Sequence, residues 1–406
     1  MKIIVFVENI QCGGVDTFCE NLINYWPNQG DDFLFICNDS HPGVPYVKNN
    51  INRQCEFYIH TIPISWSILK KSSHIFPYRF LKFLAPLVRI ALLPIQFLRI
   101  YKIFHRNQGG ALLSVSGGYP GGETCRLASI IWGHMGRKRN VYNFHNLAQP
   151  PRFGLGWYEG IMDKFLSKHV DLFIGVSKIC SDSLRVRRSF LKLNNIKHIY
   201  NGVKIINNRE KSLDIYSKFG IPVNAPVCLM LATYEERKGH DFIFKAFKLA
   251  SESVRDLHLI VCGGGDKEEI RRVEDLKDQI TPNCNIHLTG FVPNGGQLIK
   301  QSKILLIGSQ SLESFGLTAV EAMQLGIPVV STNIGGLPEV IGIDGKCGLL
   351  TEKNDVKGFA DNIVELCQNE LLYTDVSRHA KIRAMEKFTP EQMASQYMNE
   401  IRHLEC

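Results

Sequence analysis

The chain alternates between short, continuous apolar runs and longer stretches in which apolar residues recur at helical spacing. Apolar runs of this length are typical of strands that are buried on both faces of a parallel sheet, and the helical stretches between them are typical of crossover helices. The pattern therefore predicts an α/β protein. The predicted strands are residues 1–7, 111–115, 140–144, 170–176, 199–203, 225–232, 257–265, 286–292, 303–307, 327–331 and 348–350.

The turn at Asn201-Gly202 is a candidate boundary between two domains. Asn-Gly pairs favour tight turns, this one follows a predicted strand, and a new series of strands begins at residue 225. A chain of 406 residues is long enough for two domains that each have a core. We therefore predict a first domain at 1–203, a second at 204–384 and a terminal helical segment at 385–406.

The candidate chemistry concentrates in residues 303–331, which read as strand, loop, helix and strand. Ligands of open parallel sheets bind at the carboxyl ends of strands, where the loop carries Glu313 and the following helix carries Glu321. The backbone amides of Phe315, Gly316 and Leu317 at the helix start suit a phosphate. The carboxylates suit sugar hydroxyls, because an ionised carboxylate only accepts hydrogen bonds. Alternatively, Glu313 caps the helix and Glu321 is a solvated helix residue.

The residues around these carboxylates resemble a known family. Glu313 is followed by Ser-Phe-Gly, Glu321 lies eight residues later, and Ala-Met-x-x-Gly-x-Pro-Val-Val follows it. This pattern resembles the retaining group 1 (family four) glycosyltransferases of GT-B architecture. The resemblance implies two Rossmann-like domains that face a central cleft, with a first domain for the acceptor and a second for the nucleotide-sugar. It also implies that the terminal helix at 385–406 crosses back to the first domain.

The resemblance assigns donor-binding roles to residues of the second domain. Glu313, Ser314 and the amides of 315–317 would hold the sugar and phosphate, and Glu321 would hold the ribose. Lys238 matches the family's Lys-Gly-His segment, and Lys238 with Arg237 would neutralise the diphosphate. The family has an Arg five or six residues before this Lys, where this chain has Ala232-Thr233. The base would lie near two residues, Phe291 and Val292.

In the first domain, the resemblance assigns roles to a Gly-Gly turn and to one His. Gly13 and Gly14 lie between the first strand and the first helix, a geometry that can cradle phosphate, and match a family loop that faces the donor phosphates. His145 follows a predicted strand, and in the family a His here lines the sugar pocket. We expect His145 to position or polarise at the sugar; many family members follow it with an acid, where this chain has Asn146. The resemblance makes His145, Glu313 and Lys238 the catalytic candidates.

Charge and cysteine patterns narrow the chemistry further. The chain has no Asp-x-Asp pair that would suggest a metal clamp, so we expect no metal or other cofactor, with cations and helix amides meeting the leaving-group charge. A front-face, ion-pair-like path with retention fits a site that has no placed nucleophile. The 12 cysteines include no C-x-x-C pair and several lie in apolar strands, which indicates reduced core residues in a cytosolic protein.

A basic, apolar region accounts for the net charge of +8, because residues 57–122 contain eight Lys or Arg and no Asp or Glu. Amphipathic basic helices of this kind bind anionic membrane surfaces, although core helices with a solvated basic face would give the same pattern. Arg89 and Pro94 interrupt the longest apolar run, so no span is expected. No motif suggests nucleic acid. The candidate membrane or acceptor residues are Lys70, Lys71, Arg79, Lys82 and Arg89.

The sequence thus predicts a retaining glycosyltransferase that uses a UDP- or GDP-sugar. The expected acceptor is a lipid-linked saccharide of surface polysaccharide biosynthesis, such as O-antigen of lipopolysaccharide, capsule or exopolysaccharide. The protein would be cytoplasmic and peripheral on the inner face of the cell membrane. The alternatives are transfer to a soluble or protein acceptor, and a non-catalytic partner that keeps the fold.

Overall fold

The computed structural model describes residues 1–72, 78–152, 154–205, 213–281, 284–292 and 295–404, without the side chains of 70–72, 78–84 and 86. These residues form two compact units, each with its own parallel sheet. The first unit comprises Met1–Gly202 and Pro390–Cys406, and the second comprises Val203–Thr389. The chain therefore passes between the units twice, once after Gly202 and once after Thr389.

The first unit is built on a sheet that has seven strands among the described residues, in the order β3-β2-β1-β4-β5-β6-β7. Every neighbouring pair in this sheet is parallel. The strands are β1 (Lys2–Glu8), β2 (Asp32–Asn38), β3 (Cys55–His60), β4 (Ala111–Ser116), β5 (Asn140–Phe144), β6 (Leu172–Gly175) and β7 (Ile196–His198). The helices are α1 (Gly14–Asn24), α2 (Val44–Asn50), α3 (Ser65–Ser72), α4 (Tyr78–Arg106), α5 (Glu123–His134), α6 (Gly156–His169) and α7 (Lys178–Ser183).

The last helix of the chain, α15 (Pro390–His403), belongs to the first unit. Its Tyr397 is buried in the same apolar core as Phe18 of α1 and the central strands. The Tyr397 hydroxyl accepts a 2.7 Å hydrogen bond from the Asn143 side chain on β5. The terminal segment therefore supplies core contacts that the first 202 residues lack by themselves.

The second unit is built on a parallel sheet of six strands among the described residues, in the order β10-β9-β8-β11-β12-β13. The strands are β8 (Val227–Leu231), β9 (His258–Cys262), β10 (Ile286–Gly290), β11 (Ile304–Ile307), β12 (Val329–Thr332) and β13 (Leu349–Thr351). The helices are α8 (Ile215–Phe219), α9 (His240–Ser253), α10 (Lys267–Ile280), α11 (Leu317–Gln324), α12 (Leu337–Ile341), α13 (Val356–Gln368) and α14 (Glu370–Lys387).

The predicted α/β class with two Rossmann-like units is confirmed, while some elements differ. The strand expected at 199–203 is wrong: β7 ends at His198, because its last partner is Gly175, where β6 also ends. Strands β2 and β3 were missed. Within the described residues, no helix is both long enough and apolar enough to span a membrane.

Candidate functional site

Two loops meet at the carboxyl edge of the second sheet. One follows β8 and contains a short 3-10 helix, Glu236–Lys238, and the other follows β11. The backbone N–H of Gln310 donates to the carbonyl oxygen of Arg237 at 2.8 Å, which ties the loops together. Gly239 adopts a left-handed φ of 72°, and a Cβ there would lie 2.0 Å from the Gly308 carbonyl oxygen. Only glycine permits this close approach.

This loop contact brings together two predicted site residues that are 75 positions apart in sequence. The Lys238 ammonium donates to Glu313 Oε2 at 2.7 Å, and the Ser309 hydroxyl donates to the same oxygen at 3.0 Å. The side chains of Lys238 and Glu313 retain 18% and 15% of their exposure. The pair is therefore reachable by a ligand but partly sheltered from bulk water. An ion pair in such a sheltered place is stronger than one on an open surface.

Helix α11 begins beside Glu313. Gly316 precedes it with a φ of 98°, so the first helical residue is Leu317. The predicted start near Phe315 is thus about two residues early. Ser314 and Phe315 are buried at 5% and 3% exposure. Glu321 lies one turn into the helix and is partly buried, and this burial raises its pKa to about 7. The helix places a polar amide terminus and a titratable carboxyl on the same short element.

Two glycines that the sequence analysis gave no role hold the Glu313 backbone. The N–H of Gly336 donates to the Glu313 carbonyl oxygen at 2.8 Å. A Cβ at Gly335, whose φ is 59°, would lie 1.8 Å from that oxygen, and one at Gly336 would lie 2.4 Å from the Ser314 oxygen. The adjacent Gly-Gly pair after β12 was the available signal, because paired glycines mark close backbone approaches.

The other predicted donor-binding residues after β8 and β10 form no hydrogen bond with the Lys238–Glu313 pair among the described side chains. Arg237 donates through Nε to Glu235 at 2.5 Å and through Nη1 to the Leu312 carbonyl oxygen at 3.1 Å. Although burial opposes ionisation, bonds from Arg237 and Thr233 lower the pKa of Glu235. Arg237 therefore already neutralises a carboxylate. Phe291 is 78% exposed just after β10, and Val292 beside it is partly buried.

His145 lies at the carboxyl edge of the first sheet, directly after β5. Its backbone N–H donates to the Ser116 carbonyl oxygen at 3.1 Å, and its ring packs edge-on against Phe18 with centroids 4.6 Å apart. Burial lowers the pKa of His145 to about 3, so the ring is neutral at physiological pH. Its Nε2 is buried without a hydrogen-bond partner among the described residues.

The Gly13-Gly14 turn lies at the start of α1, in the same unit as His145. The Gly13 N–H donates to the Asp16 carboxylate at 2.8 Å, so a side chain of α1 accepts the hydrogen bond of this turn amide. Asp16 in turn accepts a 2.6 Å bond from His41 Nε2, and both side chains are buried. The sequence analysis missed this pair, since Asp16 and His41 lie 25 positions apart with no motif between them.

The basic region of the sequence is divided by the structure. The side chains of Lys70, Lys71, Arg79 and Lys82 lie outside the described part of the chain. Arg89 is described, and it points inward: its Nε donates to the Ser65 hydroxyl at 3.2 Å and lies 3.5 Å from Glu123 Oε1. Arg89 is thus part of an internal cluster, whereas the sequence suggested an outward basic face.

The described side chains form neither a metal-binding cluster nor a disulfide. Among the side chains that the structure describes, no three His, Cys, Asp or Glu residues are grouped to hold a metal ion. The described cysteines are free thiols, most of them buried. For example, burial raises the pKa of the Cys37 thiol to about 12, which makes it a poor nucleophile.

The two parallel α/β units define the architecture of GT-B glycosyltransferases. The crystal structure of Anabaena Alr3699/HepE in complex with UDP superposes over 100% of both chains with a TM-score of 0.75 and 17% identity. Residues 213–383 match the family described as glycosyl transferases group 1. The matching region contains Lys238, Glu313 and Glu321.

Curated relatives match the chain over part of their length. N-acetyl-alpha-D-glucosaminyl L-malate synthase of Bacillus anthracis is 28% identical over 50% of this chain and 52% of its own. Phosphatidyl-myo-inositol mannosyltransferase of Mycobacterium leprae is 30% identical over 38% of this chain and 40% of its own. The chain therefore spans about half the length, or less, of these curated relatives.

Proposed function

We propose that the protein is a nucleotide-sugar-dependent glycosyltransferase that retains the anomeric configuration of the donor. The observation that carries this proposal is the Lys238–Glu313 pair beside the start of α11, within the group 1 region. A cation, a carboxylate and the amide end of a helix at one sheet edge suit a phosphate joined to a sugar. The HepE complex with UDP supports a UDP-sugar as the donor over a GDP-sugar.

Each site residue has a separate role in the proposed reaction. The bond between the sugar's C1 and the phosphate oxygen breaks, a bond from C1 to the acceptor oxygen forms, and the acceptor proton passes to the departing diphosphate. Lys238 carries three N–H donors, of which Glu313 uses one, so the others can meet charge that develops on the phosphate. Glu313 accepts from sugar hydroxyls, Glu321 from the ribose. Phe291 and Val292 contact the base, and Gly13 with Gly14 approach the phosphates.

His145 acts as a neutral, positioning hydrogen-bond group at the sugar. Its low pKa removes it as a proton donor at physiological pH, and its unpartnered Nε2 suits a hydroxyl. Because the ring is fixed against Phe18, the hydroxyl that it binds would be held in one place. A placed hydroxyl contributes to rate through orientation.

The proposed acceptor is a saccharide on a lipid, used in bacterial surface polysaccharide synthesis at the inner face of the cell membrane. This rests on the acid-free, basic region at 57–122. Among the relatives, the mannosyltransferase of Mycobacterium leprae is named for a phospholipid, phosphatidyl-myo-inositol. Attachment to anionic membranes predicts that the full chain sediments with anionic liposomes at low salt and that charge reversal at Lys70, Lys71 and Lys82 reduces this sedimentation. Sedimentation that is absent, or unaffected by these changes, would contradict membrane attachment.

The test of the proposed reaction is to incubate the purified chain with UDP- and GDP-sugars and a membrane lipid extract. The expected product carries the sugar in the configuration of the donor, which the NMR coupling of its anomeric proton reports. An inverted product would refute retention, and the absence of transfer from every donor would refute the enzyme itself. We also propose that no metal takes part, so that EDTA leaves the rate unchanged; a rate abolished by EDTA and restored by a divalent cation would overturn this.

A further inference from the structure

An apolar cavity lies between helices α4, α5 and α6 of the first unit. Two arginines, Arg89 on α4 and Arg126 on α5, precede its lining residues Leu93 and Ile130 by one helical turn. The arginines and the cavity are together called the groove, with the arginines as its cationic end and the cavity as its apolar end. Helices α5 and α6 follow β4 and β5, so each begins near the carboxyl edge of the sheet, the edge that carries His145. Residues that recur every three or four positions line the groove from this edge downward. The face of α4 that does so comprises Arg89, Leu93 and Phe97.

The cationic end consists of Arg126 on α5 and Arg89 on α4. Arg126 is 1% exposed, yet its Nε and Nη1 are buried without a partner among the described residues. The Arg89 Nη1 atom is likewise buried and unpartnered, although Arg89 Nε contacts Ser65 and Glu123. Buried donors without acceptors are costly and rare in native proteins. Their presence indicates that an acceptor group is missing from this end of the groove.

The acids near this end are already engaged. Glu123 accepts from the backbone N–H and hydroxyl of Ser65. Glu159 and Asp163 on α6 turn inward to Arg187, at 2.8 and 3.3 Å. No carboxylate among the described residues hydrogen-bonds to Arg126, although Glu123 and Asp163 lie close enough to act on it electrostatically. An added anion would give the unpartnered N–H groups of Arg126 an acceptor. Guanidinium groups match phosphate oxygens particularly well.

The apolar end is a cavity of about 470 Å³ that begins one helical turn beyond the two arginines. Most of the lining residues are apolar, two histidines complete the lining, and each helix contributes three residues: Leu93, Pro94, Phe97, Leu127, Ile130, His134, Met162, Phe165 and His169. An apolar cavity of this volume is within the range of small-molecule binding sites. A ligand that fills both ends needs an anionic head and a hydrocarbon chain.

We propose that this groove binds one phosphate-bearing, long-chain lipid, with its phosphate at Arg126 and Arg89 and its chain between Leu93 and Phe165. The arrangement places the head toward the sheet edge of His145, as required if the lipid is the carrier of the acceptor. The inference rests in that respect on the proposed function. It goes beyond it by giving the lipid a defined site for a single molecule, separate from adsorption to a membrane surface.

The binding test uses geranylgeranyl phosphate as the probe, titrated into the full chain by calorimetry below its micelle concentration and without any nucleotide-sugar. We expect saturation at one molecule per chain. Geranylgeraniol, which lacks the phosphate, and inorganic phosphate, which lacks the chain, should each bind at least about 10-fold more weakly. Equal binding of either fragment, or the absence of saturable binding, would overturn the proposal.

Matched variants separate the groove from general hydrophobic adsorption. Phe165 and Ile161 lie one turn apart on α6 and are 49% and 48% exposed, but only Phe165 lines the groove. Phe165→Ser should weaken binding about 10-fold and Ile161→Ser should not. Equal loss in both would show that the lipid adsorbs to the surface of α6 and contradict the groove.

The phosphate end is tested with Arg126→Met, with Arg126→Lys as the conservative variant. We expect Met to abolish the advantage of the phosphate over the alcohol and Lys to restore part of it. Should the Met variant fail to fold, Arg89→Gln carries the test, with a smaller loss expected. An unchanged preference for the phosphate in the folded variants would overturn its placement. The binding assay contains no sugar donor, so its result is independent of the transfer assay. Lipid binding without sugar transfer would refute only the proposed function, and sugar transfer without lipid binding would refute only this groove.

Discussion

At the residue scale, a small number of charged side chains form the candidate site, and their surroundings set their ionisation and position. Lys238 and Glu313 are mutually neutralised while both remain accessible, and Ser309 fixes the carboxylate from a second side. The pair stores no net charge in the free protein. A phosphate that binds Lys238 and a sugar that binds Glu313 would each meet a side chain whose position is already fixed.

Replacing Glu313 by Ala should lower kcat by about 100-fold or more, because the sugar loses its acceptor and Lys238 loses its positioning partner. Steady-state rates of nucleotide release measure this. Glu236→Gln is the matched control, since Glu236 is an exposed acid in the neighbouring turn, and we expect it to retain the wild-type rate. A Glu313→Ala enzyme with normal kcat would remove Glu313 from the site.

The raised pKa of Glu321 predicts how nucleotide binding depends on pH. The carboxyl is mostly protonated below about pH 7 and ionised above it, and only the ionised form accepts hydrogen bonds from both ribose hydroxyls. Affinity for the nucleotide should therefore rise between about pH 6 and pH 8. Calorimetry on wild type and Glu321→Gln tests this: the variant should bind weakly and show a flat profile over that range. A parallel slope in the variant would assign the pH dependence elsewhere.

The same pKa has a consequence for stability. A carboxyl near 7 in the folded chain and near its ordinary value of 4.5 in the unfolded chain keeps a proton that the unfolded chain releases. Stability therefore declines as pH rises through this interval. Glu321→Gln should melt at a higher temperature than wild type at pH 8, and this advantage should shrink at pH 5. Thermal unfolding without nucleotide measures it, and a pH-independent difference would contradict the raised pKa.

At the element scale, glycines decide how closely the loops of the second unit approach one another. Gly335 contacts Glu313 at a distance that admits no side chain, and Gly316 begins α11 in a left-handed conformation. These contacts connect the loop after β11 to the loop after β12. The backbone position of Glu313 therefore depends on the packing of both strands.

Gly335→Ala should destabilise the second unit by about 2 kcal/mol more than Gly345→Ala does. Both glycines are left-handed, with φ of 59° and 74°, so both variants carry the conformational cost of about 1–2 kcal/mol. Only at position 335 does the added Cβ meet a backbone atom, whereas nothing lies within 4 Å at 345. Urea unfolding measures the difference, and equal losses would show that the close contact relaxes freely.

Tyr397→Phe tests the attachment of α15 to the first unit. The change keeps the ring against Phe18 but removes the hydroxyl that accepts from Asn143. One buried N–H of Asn143 then lacks an acceptor, while the same nitrogen still donates to the Ile174 carbonyl oxygen at 3.2 Å. The expected cost is about 1–3 kcal/mol of unfolding free energy. Denaturant unfolding of the full chain measures it. Stability equal to wild type would mean that water or another group replaces the hydroxyl.

Most elements with strong local patterns could be predicted from sequence, and contacts between distant residues could not. Strand β2 was missed although its Phe33–Cys37 segment is a continuous apolar run. The apolar run Ile3–Val7 indicates β1 by itself, and Asn201-Gly202 lies at the first passage between units. The strand β3 was missed because its burial alternates, so it lacks a continuous apolar run. The Asp16–His41 pair and the inward turn of Arg89 depend on which helices pack together, which local spacing does not encode.

At the scale of the whole molecule, two Rossmann-like units share one chain that leaves the first unit and returns to it with α15. The donor residues Lys238, Glu313 and Glu321 all lie in the second unit, and His145 with the lipid groove lies in the first. The central claim is that the second unit binds a nucleotide diphosphate through these residues. That claim can be tested without knowing the sugar or the acceptor.

The most direct measurement is the thermal unfolding of wild type, Glu321→Ala and Glu252→Ala with UDP, GDP or ADP. A nucleotide at roughly 100 times its dissociation constant stabilises a binding protein by about 2.7 kcal/mol. We predict that UDP gives such a shift in wild type and in Glu252→Ala, an exposed change on α9, and that the shift is lost in Glu321→Ala. No stabilisation by any nucleotide, or an undiminished shift in Glu321→Ala, would contradict the account.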